Sequence, residues 1–377
     1  MTNNSNFFKL FTGYFGTRTI IQGIFPLLTV LAAKQGITTD KIGLFMTIIY
    51  VAILSGTMLS GRLSYMGIPL KWLMFGSSVA GGLGVAMMGY AHDFFRLTFS
   101  TSIVWFFSGI YQNSSTMLTA VLADRSEAGK RFGTLSDISL AGTIAGGVAV
   151  GHMIEALNYQ SAFWLLGFLF AVPNLILLGI GEPKLARNTD DEKTGGFKLK
   201  PNFIWLLITT SLCLMLVHVS KFTLSLDMKD HKFDLCDISQ AYAWGTFLCL
   251  PFPYLMGRWS DTGRKKPLLL CCFASIALGL GLLLVAAPYW TYIAGILFVN
   301  IMSYGSTPVI LKMTNDDYPQ EYVSQAQTWA NSAGWGAAIV GYTWVGFAAH
   351  HLTVDGAQAI GIGVAFVSIL LCVWKLE

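Results

Sequence analysis

Charged residues are scarce in this chain of 377 residues. Asp, Glu, Lys and Arg together account for 12% of it, whereas about 25% is usual for a soluble domain. Apolar residues account for 54%. This composition excludes an ordinary soluble fold and indicates a membrane protein. The net charge of +4 gives no sign of a nucleic-acid partner.

The motifs that would indicate an enzyme are also missing. No glycine-rich phosphate-binding loop followed by Lys and Ser or Thr occurs, which excludes ATP hydrolysis as an energy source. His350 and His351 are adjacent and would not share a helix face. None of the six cysteines has metal-ligand spacing, and all but Cys236 fall in apolar segments. We therefore expect no catalytic residue, no metal and no cofactor.

Long apolar runs are what the chain does contain. Windows of roughly 20 apolar residues each meet the length needed to cross a ~30 Å hydrocarbon core. They must be helices, because unpaired backbone groups in lipid cost several kcal/mol each and a barrel would show short alternating segments. The pattern predicts an all-α membrane protein with twelve transmembrane helices, at 8–33, 42–60, 69–91, 94–121, 132–154, 160–181, 203–225, 238–256, 267–287, 289–311, 324–348 and 356–374.

Lys and Arg predict the orientation of these spans. With the N-terminus inside, 17 of the 24 basic residues fall in cytoplasmic segments or at the span ends beside them, and five in external loops or at the span ends beside those. This bias predicts that both termini are cytoplasmic. The residues before the first span carry no basic region or cleavage site, so the first helix is expected to be a retained signal anchor. We expect a multi-pass protein of the cell (inner or plasma) membrane.

Two related loops divide the chain into halves. The segment 257–266 is dense in charge and glycine, and a weaker copy at 61–67 precedes it by 196 residues. A polar, Gly-rich run separates the sixth span from the seventh. We therefore predict an N-terminal six-helix bundle at 1–181, a cytoplasmic linker at 182–202 and a C-terminal six-helix bundle at 203–377.

Small residues in the fifth span support the duplication. Gly142 and Gly146 lie four residues apart, which lets two membrane helices approach closely. At an offset of 192 residues they correspond to Gly334 and Ala338. Parallel six-helix repeats of this kind are expected of one large class of transporters.

On the loop at 257–266 the chain resembles the major facilitator superfamily, and the resemblance covers essentially the whole chain. The family motif places a Gly, an acidic residue, a second Gly and a basic cluster between two helices on the cytoplasmic side. The resemblance implies two pseudo-symmetric bundles and a loop that holds the cytoplasmic side closed. The alternative is that the basic residues only set topology. The matching residues are Gly257, Asp261, Gly263, Arg264, Lys265 and Lys266.

The chain also departs from the family pattern. Tyr65 stands where the acidic residue would be in the first loop, so any such gate would be held mainly through Asp261. The family's antiporter motif has a Pro after Gly-x-x-x-Gly in span five, which this chain lacks after Gly146. That absence disfavours a drug antiporter.

Two cations are predicted inside the membrane. Arg18 lies in the first span and Lys221 in the seventh. Such charges cost ~2.5–3.5 kcal/mol on insertion scales and are functional candidates by default. The resemblance implies that these two spans line a central cavity, where two cations favour a carboxylate- or phosphate-bearing substrate. Two alternatives stay open: Lys221 extends to the outer surface, or Arg18 is neutralised by a structural carboxylate.

Other polar residues in the spans complete the predicted site. Asp137 and His218 are candidates for proton coupling. Asp137 also suits a structural role near the gate, and His218 equally suits a polar wall of the cavity. Amides can orient substrate oxygens without a buried charge. The amides predicted to contact substrate are Gln22, Gln112, Asn113 and Asn331.

These observations predict a secondary active transporter of a small organic anion that works by alternating access, with proton coupling left open. One alternative is an exporter of amphiphilic or cationic compounds. Another is a transporter-like sensor that moves nothing. The expected partners are a small anionic molecule, protons and the lipid bilayer. A monomer is expected.

Overall fold

The computed structural model describes residues 3–34, 39–182, 197–233, 235–285, 288–351 and 354–376. Within these ranges every regular element is a helix, which confirms the predicted all-α class. The α-helices are α1 (Asn3–Lys34), α2 (Thr39–Tyr65), α3 (Leu70–Met88), α4 (Phe94–Leu122), α5 (Ala128–Ala156), α6 (Tyr159–Ala171), α7 (Pro201–Asp230), α8 (Leu235–Cys249), α9 (Pro251–Ser260), α10 (Lys265–Leu284), α11 (Tyr289–Asn300), α12 (Ser306–Asp317), α13 (Gln320–His351) and α14 (Val354–Lys375).

Several of these helices join end to end. Pro251 lacks a backbone N–H and so interrupts the hydrogen-bond ladder between α8 and α9. A π-helical segment, Ile301–Gly305, joins α11 to α12, and a 3₁₀ segment, Val172–Gly179, continues α6. When joined helices are taken together, the described residues form twelve helical rods, as the sequence predicts.

The helices differ in length and hydropathy. Among the described residues, eight helical stretches are long and apolar enough to cross a membrane. α4 and α13 fall outside this set because rows of Ser, Thr, Asn and Gln lower their hydropathy. The eight are Leu44–Tyr65, Leu70–Met88, Arg125–Ile154, Tyr159–Gly179, Pro201–Lys221, Lys265–Leu284, Tyr289–Asp317 and Gln358–Lys375.

Packing divides the chain into two compact units. Unit 1 comprises Met1–Arg125, Ala141–Lys198 and Tyr318–Trp335; unit 2 comprises Ser126–Leu140, Leu199–Asp317 and Gly336–Glu377. The first half of α5 therefore packs within unit 2, and the first half of α13 within unit 1. The predicted bundle boundaries at 181 and 203 stay a prediction about the sequence repeat.

Helices α1 and α5 approach closely in unit 1, as the small residues of span five predict. A Cβ atom at Gly146 would lie 2.0 Å from the carbonyl oxygen of Thr19, and one at Gly23 would lie 2.5 Å from the carbonyl oxygen of Gly146. At Gly142 a Cβ would lie 3.0 Å from the Cβ of Arg18. Only glycine permits this contact, which seats the backbone around Arg18 against α5.

The two related loops share a backbone conformation. Gly67 has φ of +89° and Gly263 has φ of +88°, values that favour glycine over any residue with a Cβ. No atom lies within 4 Å of a Cβ built at either position, so the backbone itself requires the glycine. The shared geometry supports an internal duplication.

The glycines that open these loops contact corresponding helices. In unit 1 a Cβ at Gly61 would lie 2.5 Å from Oγ1 of Thr328, on α13. In unit 2 a Cβ at Gly257 would lie 2.2 Å from the carbonyl oxygen of Gly129, on α5. Each glycine therefore allows the first turns of α13 or α5 to pack directly against the helix that carries it.

Candidate functional site

Arg18 lies midway along α1 with only 6% of its surface exposed. Its Cζ is 5.9 Å from the centroid of the Tyr14 ring, and that ring stacks on Tyr111 at 6.3 Å between centroids. A cation over the face of an aromatic ring is attracted by the ring quadrupole. The two tyrosines therefore provide Arg18 with electrostatic stabilisation inside unit 1.

Hydrogen bonds fix the position of these rings. The Tyr111 hydroxyl, which is fully buried, donates to Oδ1 of Asn174 at 2.5 Å. Nδ2 of Asn174 donates to Oγ1 of Thr17 at 3.0 Å and to the carbonyl oxygen of Phe170 at 2.8 Å. Asn174 is not among the site residues predicted from the sequence. The sequence feature that could have indicated it is a single amide in an apolar run, directly after a proline.

The predicted amides Gln22 and Gln112 belong to the same unit. Gln22 lies one turn after Arg18 on α1, and Gln112 follows Tyr111 on α4. Both side chains are half-buried. Neither amide hydrogen-bonds to any residue in the described part of the chain.

The side-chain amides of Asn113 and Asn331 hydrogen-bond to each other. Nδ2 of Asn331 donates to Oδ1 of Asn113 at 2.8 Å. Nδ2 of Asn113 in turn lies 2.7 Å from Oγ of Ser60 and 2.9 Å from Oγ1 of Thr328. Asn113 is almost fully buried, at 1% exposure. In this structure its amide serves the packing of α2, α4 and α13.

Lys221 lies in unit 2, in the second half of α7. Its Nζ is 5.6 Å from the centroid of the Tyr304 ring, and the residue lines a small cavity together with Asn300. The Tyr242 hydroxyl donates to the carbonyl oxygen of Lys221 at 2.8 Å. This placement favours a cation that faces the interior of the unit over one that extends to the membrane surface.

Tyr304 is presented by the π-helical segment Ile301–Gly305. A π-helical turn has hydrogen bonds between residues five apart, which makes it wider than an α-helical turn, and such turns are frequent at functional sites. Here it marks the junction of α11 and α12 beside Lys221. No pattern in the sequence distinguished this segment from a regular helix.

The two candidates for proton coupling lie in different surroundings of unit 2. The His218 ring is 5.3 Å from the ring of Tyr342 on α13. Asp137 accepts a hydrogen bond from the backbone of Tyr254 on α9.

The loop carboxylate Asp261 binds the first turn of α5 within unit 2. Its Oδ1 accepts a hydrogen bond from the N–H of Gly129 at 2.9 Å, and its Oδ2 accepts one from the N–H of Lys130 at 2.8 Å. These N–H groups have no partner within the helix, and the helix dipole favours an anion there. Burial raises the pKa of Asp261 above its ordinary value, and the two N–H groups partly offset that rise.

A buried lysine that the sequence analysis overlooked completes this network. Lys312, only 5% exposed, places Nζ 2.9 Å from Oδ1 of Asp316 and 3.7 Å from Oδ1 of Asp261. Lys265 pairs with the other oxygen of Asp316 at 2.5 Å, whereas Arg264 is exposed. The predicted span ended at residue 311, which placed Lys312 in a loop.

A separate carboxylate caps a helix in unit 1. Glu182 accepts hydrogen bonds from the N–H of Leu70 at 2.9 Å and of Lys71 at 3.2 Å, at the start of α3. Burial raises the pKa of Glu182, and these N–H groups lower it in part. No group of His, Cys, Asp or Glu suited to hold a metal occurs among the described residues.

Comparison with known proteins decides the family. The family model described as Major Facilitator Superfamily matches residues 10–342 and 219–376. The chain belongs to the major facilitator superfamily. This membership identifies a multi-pass membrane transporter rather than an enzyme.

Solved structures of superfamily members share the fold. The crystal structure of the human organic anion transporter MFSD10 (TETRAN) matches with a TM-score of 0.84 at 12% identity, over 99% of this chain and 100% of that one. The superfamily transporter FucP, in the outward conformation, matches with a TM-score of 0.76 at 13% identity, over 98% of each chain.

A curated relative matches over a shorter stretch. The uncharacterized MFS-type transporter YuxJ of Bacillus subtilis is 28% identical over 116 residues. The matched stretch covers 29% of the present chain and 29% of YuxJ.

Proposed function

We propose that this protein is a secondary active transporter that moves a small organic anion by alternating access, with Arg18 and Lys221 binding the anionic groups. One observation carries the proposal. The first long helix of each sequence half holds a cation within the apolar part of its unit, and each cation lies over a tyrosine ring. A pair of cations retained at such cost fits a substrate that neutralises them.

The two cations suit different parts of an anion. Cζ of Arg18 lies 5.9 Å from the centroid of the Tyr14 ring, and a guanidinium presents its N–H groups as a rigid planar fork. Such a planar fork binds carboxylate or phosphate through two parallel hydrogen bonds. The ammonium group of Lys221 acts as a compact point charge. A substrate with a carboxylate or phosphate group satisfies both.

The amides contribute in two ways under this proposal. Gln22 and Gln112 supply hydrogen bonds to substrate oxygens directly. Asn113 and Asn331 reach a substrate only after they release one another, so we assign them to a step of the cycle in which their hydrogen bond opens. The description of MFSD10 as an organic anion transporter agrees with the anionic class. The proposal rests on the two cations, since a fold shared at 12% identity does not define a substrate.

The loop at 257–266 provides the gate in this proposal. Asp261 holds the first turn of α5, Gly257 allows the close contact and Gly263 forms the turn. Arg264 and Lys265 supply the accompanying positive charge. Because Tyr65 takes the place of an acid in the first loop, the gate is held asymmetrically. We further propose a monomer in the cell membrane that is coupled to protons.

Ligand-dependent thermal stability tests the substrate class. A ligand at 100 times its Kd stabilises the folded protein by about 2.7 kcal/mol, so carboxylates and phosphates should raise the Tm of the purified protein. Arg18→Gln should abolish this rise, and Arg18→Lys should retain part of it. The matched control is Arg96→Gln, at an exposed Arg that pairs with Asp93.

Other results would identify the alternatives. Stabilisation by lipophilic cations, with no response to anions, would contradict the proposal and favour an exporter of amphiphilic compounds. Flux of the stabilising anion into liposomes should be present in the wild-type protein and absent in Arg18→Gln. Binding without flux would indicate a sensor.

A further inference from the structure

Helix α7 is longer than the sequence predicts, and the additional turn carries a buried acid. The span was predicted to end at residue 225, but α7 continues to Asp230. Asp227 therefore lies within the helix, and only 11% of its side chain is exposed. This end of α7 is the one remote from the linker, on the side that the predicted topology places outside.

Asp227 belongs to a cluster of three titratable groups. Oδ1 of Asp227 is 3.4 Å from Nδ1 of His231, one turn later on α7. The Tyr292 hydroxyl, on α11, is 3.2 Å from the same Nδ1 and also hydrogen-bonds to Asp227. None of these residues belongs to the proposed anion site or to the gate.

The contacts of Nδ1 determine the proton positions. Nδ1 is 3.0 Å from the backbone carbonyl oxygen of Asp227, which can only accept a hydrogen bond. We therefore assign the proton of neutral His231 to Nδ1, which donates toward Asp227. The Tyr292 hydroxyl is then directed to the carboxylate, and Nε2 of His231 is the position left to bind a further proton.

The members of the cluster differ in their access to solvent. Asp227 and Tyr292 adjoin an apolar cluster that includes Leu224, Met228 and Ile296, where an unpaired carboxylate is costly. The His231 side chain, in contrast, is 40% exposed and can exchange protons with solvent. Protonation of His231 would convert this contact into an ion pair with Asp227.

We propose that His231, Asp227 and Tyr292 form a proton-binding site at the predicted outer end of α7. Coupling of this site to transport rests on the proposed function, because Lys221 lies six residues earlier on the same helix. The described titratable and charged groups on the elements packed around this end are Lys221 and Lys232 from α7 and its end, Asp237 and Tyr242 from α8, and Tyr289 and Tyr292 from α11.

Nitrogen-15 NMR of the full-length protein, labelled at its six histidines, tests the site. The signal lost in His231→Gln identifies His231. At high pH the wild-type signal should show the Nδ1–H tautomer, rather than the Nε2–H form that predominates in free histidine. Asp227→Asn should shift the Nδ1 resonance of His231, since it removes the carboxylate charge that lies 3.4 Å from that nitrogen.

Controls separate this inference from other causes. His92→Gln removes an exposed histidine between α3 and α4 and should leave the His231 signal unmoved. Tyr292→Phe should shift the Nδ1 resonance less than Asp227→Asn does. An Nε2–H tautomer in the wild-type protein, or an unchanged Nδ1 resonance in a folded Asp227→Asn protein, would overturn the inference. Neither result affects the anion-dependent Tm, which tests the proposed function independently of this site.

Discussion

The side-chain amides of Asn113 and Asn331 hydrogen-bond to each other across 218 residues of sequence, with 2.8 Å between Nδ2 of Asn331 and Oδ1 of Asn113. Nδ2 of Asn331 also donates to Oγ1 of Thr116 at 2.8 Å. Two amides predicted to contact a substrate thus bind one another and the hydroxyl groups around them. A buried amide that is already satisfied adds to the packing of its helices, and a ligand must compete for it.

A double-mutant cycle on Asn113 and Asn331 should reveal an interaction energy between the two side chains. We expect Asn113→Ala and Asn331→Ala each to destabilise the protein by about 1–3 kcal/mol, because each leaves a buried polar group without its partner. The double variant should cost less than the sum, by at least ~0.5 kcal/mol, since both changes remove the same bond. Denaturation in detergent measures all three, with Gln112→Ala as the control. Strictly additive losses would contradict a direct coupling.

Asp261 should support the first turn of α5 through both of its oxygens. Asp261→Asn retains one acceptor and loses the charge, so we expect a loss of about 1 kcal/mol. Under the proposed gate, distances measured by spin labels on the predicted cytoplasmic loops should also lengthen. The control is Asp93→Asn, which weakens an exposed cap at the start of α4. Equal distance changes in both variants would remove any special role for Asp261.

Gly146 should tolerate no side chain. A Cβ there would lie 2.0 Å from the carbonyl oxygen of Thr19, so Gly146→Ala must separate α1 from α5. We expect a clear loss of stability, by about 1–3 kcal/mol as for other overpacked sites. Gly147→Ala is the matched control, because no atom lies within 4 Å of its built Cβ. A Tm that falls equally in both would contradict the close contact.

Gly263 should be required for its backbone alone. With φ of +88° and open space around its Cβ position, Gly263→Ala should cost about 1–2 kcal/mol through backbone strain without a steric clash. Gly281→Ala, in α10 and also in open space, should be neutral or slightly stabilising. Comparison of the two Tm values checks this. Equal values would show that the left-handed turn is not retained in the membrane.

The fold followed from the sequence where one segment carries its own signal. Apolar runs of sufficient length predict helices, and the glycines of both loops predict tight turns. The end of a helix was harder to place. Because Asp227 and Lys312 are charged, the predicted spans end just before them. Both nevertheless lie inside helices, where His231 and Asp316 of the same unit form ion-pair contacts with them.

The site was predicted less completely than the fold. Arg18 and Lys221 were recognisable because a cation in an apolar run is rare. The tyrosine rings beneath them, and Asn174 behind Tyr111, depend on which helices pack together. The π-helical segment that presents Tyr304 likewise depends on packing, since nothing in its local sequence demands the extra residue.

The sequence by itself determined the membrane class, the number of helices, the two related loops and the positions of the embedded cations. These properties are local, because hydropathy, chain length and the conformational freedom of glycine act within one segment. The tertiary structure decided which polar groups are satisfied by one another and which can still bind a ligand. That division depends on distances between residues far apart in sequence, such as Asn113 and Asn331 or Asp261 and Gly129, which only the packing of helices establishes.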